Sequence, residues 1–254
     1  MEFQQKNIWD HMGANWQQGP VRVAFDSKIS AEEIFGVFRK GAALYREGKV
    51  PSPAKIFTDG INRQHELHKY LPTEGEGFLE YDHRIMEEYG HTTYLVYVFD
   101  MSPYDANFRD TLAALKRQIA EGSGQQSKWG TILGEVFLGR YRSTTGGIHK
   151  EVCASFQYVL HGHKLMRIWP ENTWDVNVEK VRPSNDERTG DQEYYLPEVG
   201  FDEKQEASTD LIGQAGDVFY WPEGWWHVGR SEGLTCSLTI ALYPAQEKPT
   251  ETHE

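Results

Sequence analysis

Three residues of this chain have the types and spacing of metal ligands. His149 and Glu151 sit two apart in Gly-Ile-His149-Lys150-Glu151, and on a β-strand that spacing turns both side chains to one face. A second imidazole, His227, arrives far downstream in Trp225-Trp226-His227. Two imidazoles and one carboxylate make the facial donor set that holds a ferrous ion and leaves coordination positions open for a co-substrate and dioxygen. Lys164 adds an electrostatic feature. It shares a strand face with Met166 and Ile168, and an ammonium in such company needs an anion or a route to solvent. A carboxylate-bearing co-substrate supplies that anion.

Other residues of chemical type carry less. His65-Glu66-Leu67-His68 places its histidines three apart, where the zincin arrangement needs four, so this segment reads as a solvated helix face. His161 and His163 flank Gly162 at a hairpin tip and read as surface residues. Trp225 and Trp226 read as packing residues that hold His227. Cys153 and Cys236 lie in no CxxC pair, which argues against a zinc knuckle or redox motif and for a reducing compartment.

The elements that must position these residues follow from local pattern. Ser30-Ala-Glu-Glu33 is a capping box, opening a helix with Ile34, Phe35, Val37, Phe38 and Leu44 roughly on one side and stopping near Gly48. Lys55 to Thr58 is a short strand closed by Asp59-Gly60, and Thr92 to Phe99 is a second strand. Asn107 to Ala120 is a helix with Phe108, Leu112, Leu115 and Ile119 at helical spacing. Strands then succeed one another at 134–141, 151–160, 164–169, 217–221, 226–229 and 235–243. The polar stretch between Pro170 and Gly213 reads as a long loop framing a substrate mouth, its acidic residues favouring a cationic ligand. Helices first and strands afterwards predict one domain whose N-terminal part wraps a β-barrel. We expect a single domain over 1–254, with a helix-rich part at 1–125 and a β-barrel core at 126–243 that carries the metal motifs.

Thr144-Thr145-Gly-Gly-Ile-His149-Lys-Glu151, Lys164 fifteen residues after His149, Pro170 six residues later, and Gly216-Asp217-Val-Phe-Tyr220-Trp-Pro222-Glu-Gly-Trp225-Trp226-His227 together resemble the JmjC-type cupins. These are Fe(II)- and 2-oxoglutarate-dependent oxygenases. In style the chain is similar to the subgroup containing the asparaginyl hydroxylase of hypoxia-inducible factor, over about residues 130–243. The resemblance implies a mainly β fold, the double-stranded β-helix or cupin jelly roll, with N-terminal helices packed on it. It implies His149, Glu151 and His227 as iron ligands and Lys164 as the partner of the distal carboxylate of 2-oxoglutarate. Tyr94 or Tyr97, on the upstream strand, would assist that carboxylate. Ser155 stands where close relatives place a co-substrate-lining Asn. Gly146 stands where relatives place a co-substrate-binding Thr, with Thr144 and Thr145 beside it, and Thr145 is the candidate contact. The carboxylate ligand is Glu where many members use Asp.

Composition sets the outer bounds. A net charge of −12 with no Lys/Arg-rich run argues against a nucleic-acid partner. The apolar run Tyr94 to Phe99 is too short to span a bilayer, and the N-terminus lacks a basic-then-apolar signal, so we expect a cytoplasmic protein with no membrane partner. The expected partner is a small-molecule or peptide substrate. No helical dimerisation module is evident after Tyr243, and the sequence does not fix the oligomeric state. The expected activity is hydroxylation of an unactivated carbon in an amino-acid, peptide or protein side chain, with release of succinate and CO2. The rival readings are a cupin module that binds metal without turnover and a zinc-dependent cupin hydrolase or isomerase. Lys164 counts against the last, since activating water needs no buried lysine.

Overall fold

A computed structural model gives the backbone and side chains of residues 8–25, 27–125, 128–144, 146–177 and 191–245 and the backbone of 182–186; the side chains of 191–192 are not described. Helix starts follow the capping chemistry. Ser30 Oγ accepts from Glu33 N at 3.2 Å and Glu33 Oε2 accepts from Ser30 N at 2.9 Å, so two orphan amides are satisfied where the long helix Ala31–Arg46 begins. Asp105 Oδ1 accepts from Phe108 N at 2.9 Å and opens Ala106–Gly122 one residue earlier than periodicity places it.

In chain order the helices are α1 (Trp9–Met12), α2 (Ala31–Arg46), α3 (Leu67–Tyr70), α4 (Phe78–His83, running on into a wide turn at Arg84–Glu88) and α5 (Ala106–Gly122). The strands are β1 (Val21–Ala24), β2 (Ala54–Thr58), β3 (Ile61–Asn62), β4 (Tyr94–Val98), β5 (Trp129–Arg140), β6 (Ile148–Lys150) and β7 (Ala154–His161). They continue as β8 (His163–Trp169), β9 (Arg182–Asp186), β10 (Asp191–Leu196), β11 (Thr209–Gln214), β12 (Asp217–Trp221), β13 (Trp226–Ser231) and β14 (Thr235–Pro244).

All the described pairings are antiparallel, in two sheets. One has eight strands in the order β1-β12-β7-β14-β5-β4-β2-β3, the other six in the order β11-β8-β13-β6-β10-β9. Alternation splits the larger sheet cleanly. Phe156, Tyr158, Val136, Leu138, Leu238 and Ile240 pack outward with Phe35, Phe38 and Tyr81 of the N-terminal helices in the main core. Each such side chain, fully buried, contributes on the order of 1.5–3 kcal/mol. The opposite face looks toward the smaller sheet. There Val159, Phe219 and Trp221 meet Met166 and Ile168 of β8. The outer side of the smaller sheet is closed by Ile148, Trp169, Trp174, Leu196, Trp226 and Val228. This is the mainly β jelly roll with N-terminal helices that the sequence predicts. The N-terminal part does more than wrap it, because β1 to β4 extend the eight-stranded sheet at both ends.

The β7–β8 hairpin turns at Gly162, with φ +75°. A Cβ there would lie 2.0 Å from Leu234 O, so the residue is fixed as glycine by both conformation and space. The 170–213 stretch departs from expectation. Instead of a continuous loop it supplies β9, β10 and β11, with β10 adding to β6 and β11 to β8. β11 and β9 are the edges of the smaller sheet. Edge strands keep a polar face toward solvent and so lack an apolar signature. The short β1 and α4 escape sequence patterning too.

Candidate active site

β13 pairs with β6 at a single register position, which sets His227 directly opposite His149. The two ring centroids are 4.2 Å apart with planes at 56°. Each Nδ1 lies 3.0 Å from a carbonyl two residues back, Gly147 O for His149 and Trp225 O for His227. A carbonyl can only accept, so both Nδ1 atoms carry the proton and both Nε2 atoms present a lone pair, the tautomer of a metal-ligating histidine. Burial lowers both pKa values, and for His227 the neighbouring His149 lowers it further, so both rings are neutral at pH 7. Tyr195 of β10 stacks on His149 at 5.4 Å and 16°, its hydroxyl donating to Glu193 at 2.5 Å, and Trp221 lies 4.9 Å from His227.

Glu151 behaves differently from a residue on the expected strand. β6 ends at Lys150 and β7 begins only at Ala154, so Glu151 stands in the bend between them. Its carbonyl accepts from Gly224 N at 2.8 Å, and its carboxylate lies 3.2 Å from the Cys153 thiol. Among the described residues no set of three His, Cys, Asp or Glu side chains gathers closely enough to hold a metal ion. The structure brings the imidazoles together and leaves the carboxylate beside Cys153.

Lys164, at 2% exposure, is inside the barrel. Its Nζ donates to Tyr141 Oη at 2.8 Å and Ser237 Oγ at 2.9 Å and sits over the Phe137 and Tyr141 rings. Burial lowers its pKa to about 7, with only the Cys236 thiol acting in the other direction. Gly229 makes room here: a Cβ would meet Met166 Sδ at 3.0 Å and Thr144 Cγ2 at 3.3 Å, with Lys164 Cε at 3.6 Å. Thr144, tied by its amide to Gly229 O at 3.0 Å, buries its Oγ1 with no hydrogen-bond partner among the described residues. A buried ammonium held by two hydroxyls makes a cradle for an anion.

The remaining sequence candidates divide. Ser155, 1% exposed, lies on the inner face of β7 with its hydroxyl 3.5 Å from Cys153 Sγ. Tyr94 points the wrong way. It is an odd number of residues from Tyr97 along β4, so it faces the helix-covered core and donates to Asp82 at 3.0 Å, far from a role at Lys164. Tyr97 faces inward, stacked on Phe137 at 4.9 Å, and gives its hydroxyl to Glu135. Tyr141 makes the lysine contact, and the residues that pattern reading missed are Tyr141, Ser237 and Tyr195. Their signal was parity: Ser237 and Phe137 are register partners, and both share a face with the interior. Thr145 lies outside the described residues. His65 and His163 are exposed, as expected, whereas His161 is half-buried against the edge of Phe78 at 5.1 Å.

Residues 146–248 match the JmjC domain. The matched span holds His149, Glu151, Lys164 and His227. No curated protein matches the chain. Among solved structures it is similar to YcfD of Escherichia coli, with TM-score 0.54 and 18% identity over 98% of this chain and 56% of that one. It is also similar to that ribosomal oxygenase with cobalt and succinic acid (0.52, 16%, 97% and 54%) and with cobalt and 2-oxoglutarate (0.50, 15%, 97% and 54%). The chain spans about half the length of these proteins. At such identity the likeness is one of fold, and it agrees with a JmjC jelly roll bearing N-terminal helices. No helix among the described residues is long and apolar enough to cross a membrane.

Proposed function

We propose that the chain is an Fe(II)- and 2-oxoglutarate-dependent dioxygenase that hydroxylates an amino-acid, peptide or protein side chain. The observation that carries this reading is the Lys164 cradle: a buried amine held by Tyr141 and Ser237, with Thr144 packed nearby, in the same barrel as two neutral imidazoles. By donor type the residues fit the group, two adjacent nitrogen lone pairs and a carboxylate, with Glu151 two positions along the chain from His149 and turned toward Cys153 here. His149, His227 and Glu151 would hold the metal. Iron with 2-oxoglutarate bound would supply dioxygen-driven oxidation of a C–H bond, releasing succinate and CO2.

The chain's own part is orientation. Lys164 and Tyr141 fix the distal end of the co-substrate by charge and hydrogen bond, and Thr144 adds a donor once an acceptor is present. The Nδ1–H bonds to Gly147 and Trp225 lock the ring orientations. Trp221 and Tyr195, packed on the imidazoles, exclude water from them. The motif style of the asparaginyl hydroxylase subgroup and the fold of a ribosomal oxygenase both favour a side chain on a peptide or protein as substrate. Glu151's position beside Cys153 is the observation that favours the rival, a module that binds metal without turnover. Titrating 2-oxoglutarate into the anaerobic iron complex and following its charge-transfer absorbance, then measuring succinate after admitting oxygen, separates them. Binding with succinate formation supports the dioxygenase, and iron binding without either signal sinks it.

A further inference from the structure

β10 brings a phenol and a carboxylate to the side of the paired histidines. His227, His149 and Tyr195 are successive register partners across β13, β6 and β10, so the three rings stand in a row on one face of the smaller sheet. Tyr195 lies nearly flat on His149, with ring centroids 5.4 Å apart and planes at 16°. Glu193 is two residues back along β10 on the same face, and its Oε2 accepts the Tyr195 hydroxyl at 2.5 Å. The negative field of Glu193 is felt at His149. Room for the phenol comes from Gly146, where a Cβ would lie 2.6 Å from Tyr195 Cε1. Gly146 is the position at which the resemblance would put a threonine. In this chain a ring from β10 occupies the space that such a side chain would need.

His149 is therefore gripped from two sides, by His227 at 4.2 Å and by Tyr195. Each imidazole presents an Nε2 lone pair, and two such lone pairs at adjoining positions push the rings apart until a cation bridges them. The Nδ1–H bond to Gly147 O fixes the tautomer of His149 but leaves the ring able to rock about that bond. A phenol stacked on the side away from His227 blocks that swing. The bond to Glu193 holds the phenol in place, and the carboxylate's charge favours a cation at the histidine. We propose that Glu193 and Tyr195 act as a positioning dyad, holding His149 in line with His227 and raising the affinity of the pair for a divalent metal ion. The proposal rests on the dioxygenase reading only in taking the two histidines as metal ligands.

The test titrates cobalt(II) alone into the full chain without oxygen, reading both affinity and the visible ligand-field bands. Tyr195→Leu removes the stack and should weaken cobalt about 10- to 100-fold, the range for groups that orient a metal-binding histidine, and shift the bands. Tyr195→Phe keeps the ring and should restore most of that loss. Glu193→Gln, nearly isosteric, should weaken cobalt about threefold or more, and adding Tyr195→Phe to it should cost little further, since the two residues act through one hydrogen bond. Urea unfolding of each metal-free variant gives the control. Unchanged cobalt affinity in Tyr195→Leu and Glu193→Gln overturns the dyad. So does a loss in Tyr195→Leu that Phe does not restore and that matches a loss of metal-free stability, which marks a packing role. His227→Ala separates the dyad from the metal site. If cobalt affinity survives that change, the histidines are not the ligands and both fall; if it is lost there and kept in the dyad variants, the dyad alone falls. Failure of the 2-oxoglutarate titration sinks the dioxygenase alone and leaves a cobalt effect of the dyad standing.

Discussion

At the scale of single residues, Lys164 decides most. Replacing it with Met keeps the stem and removes the charge. Leaving a carboxylate unpaired in a dry barrel costs about 2–5 kcal/mol, or roughly thirty- to several-thousand-fold in 2-oxoglutarate affinity, with iron binding retained. An unchanged dissociation constant in the anaerobic titration would remove Lys164 from the co-substrate site. Thr144→Val makes a sharper contrast. The ligand-free protein should be unchanged or slightly more stable, because an orphan hydroxyl disappears. Co-substrate affinity should drop about tenfold, the worth of one hydrogen bond to a charged group. A urea melt and the same titration read the two effects apart. The candidate ligand positions were legible in the sequence as residue types at set spacings, and the structure brings His149 and His227 together while Glu151 lies beside Cys153. The Lys164 contact was not, because a tyrosine on the upstream strand seemed the natural partner. Only the strand parity that sends Tyr94 to Asp82, and the end of β5 that delivers Tyr141, settle which phenol meets the amine.

At the scale of elements, most long helices and inner strands could be read from the chain, since their period reflects which face is buried. Ser30 and Asp105 mark helix starts because capping is local chemistry. The edge strands β9 and β11 could not be read, because edge strands with polar side chains look like loops until a neighbour is present to pair with them, and β10 between β6 and β9 was lost with them. Ser30→Ala should cost about 1 kcal/mol of stability with metal affinity intact, measured by chemical denaturation against metal titration. Gly162→Ala is the harsher change. The left-handed conformation costs a β-carbon about 1–2 kcal/mol, and the contact with Leu234 O at 2.0 Å adds to it. A loss under 1 kcal/mol would mean the β7–β8 turn can relax around the new carbon.

For the molecule as a whole, the lysine links ligand state to pH. Its folded pKa of about 7 lies below the ordinary 10.5, so between those values the unfolded chain holds a proton that the folded chain has released. Stability of the ligand-free protein should therefore rise from pH 7 toward 10.5, with this group contributing at most about 4–5 kcal/mol. Lys164→Met should lack that part of the slope, and denaturation of both proteins across the range measures it. A bound carboxylate restores the ammonium, so binding at pH 8 to 9 should take up a proton, visible in calorimetry as a buffer-dependent heat.

The two faces of the eight-stranded sheet also divide the consequences of mutation. Along β7 the residues alternate between Phe156 and Tyr158, locked in the helix-covered core, and Ser155 and Gln157, turned to the cavity. Truncating Phe156 removes about 3–5 kcal/mol and should empty the cell of protein. Trimming Ser155 or Gln157 takes away little packing and should leave expression near normal while altering what the cavity accepts. A scan of every substitution along this strand, scored once for abundance and once for turnover, would then trace two interleaved combs, each with a tooth at every second residue. New substrate preferences can be selected along one comb without spending the stability held by the other.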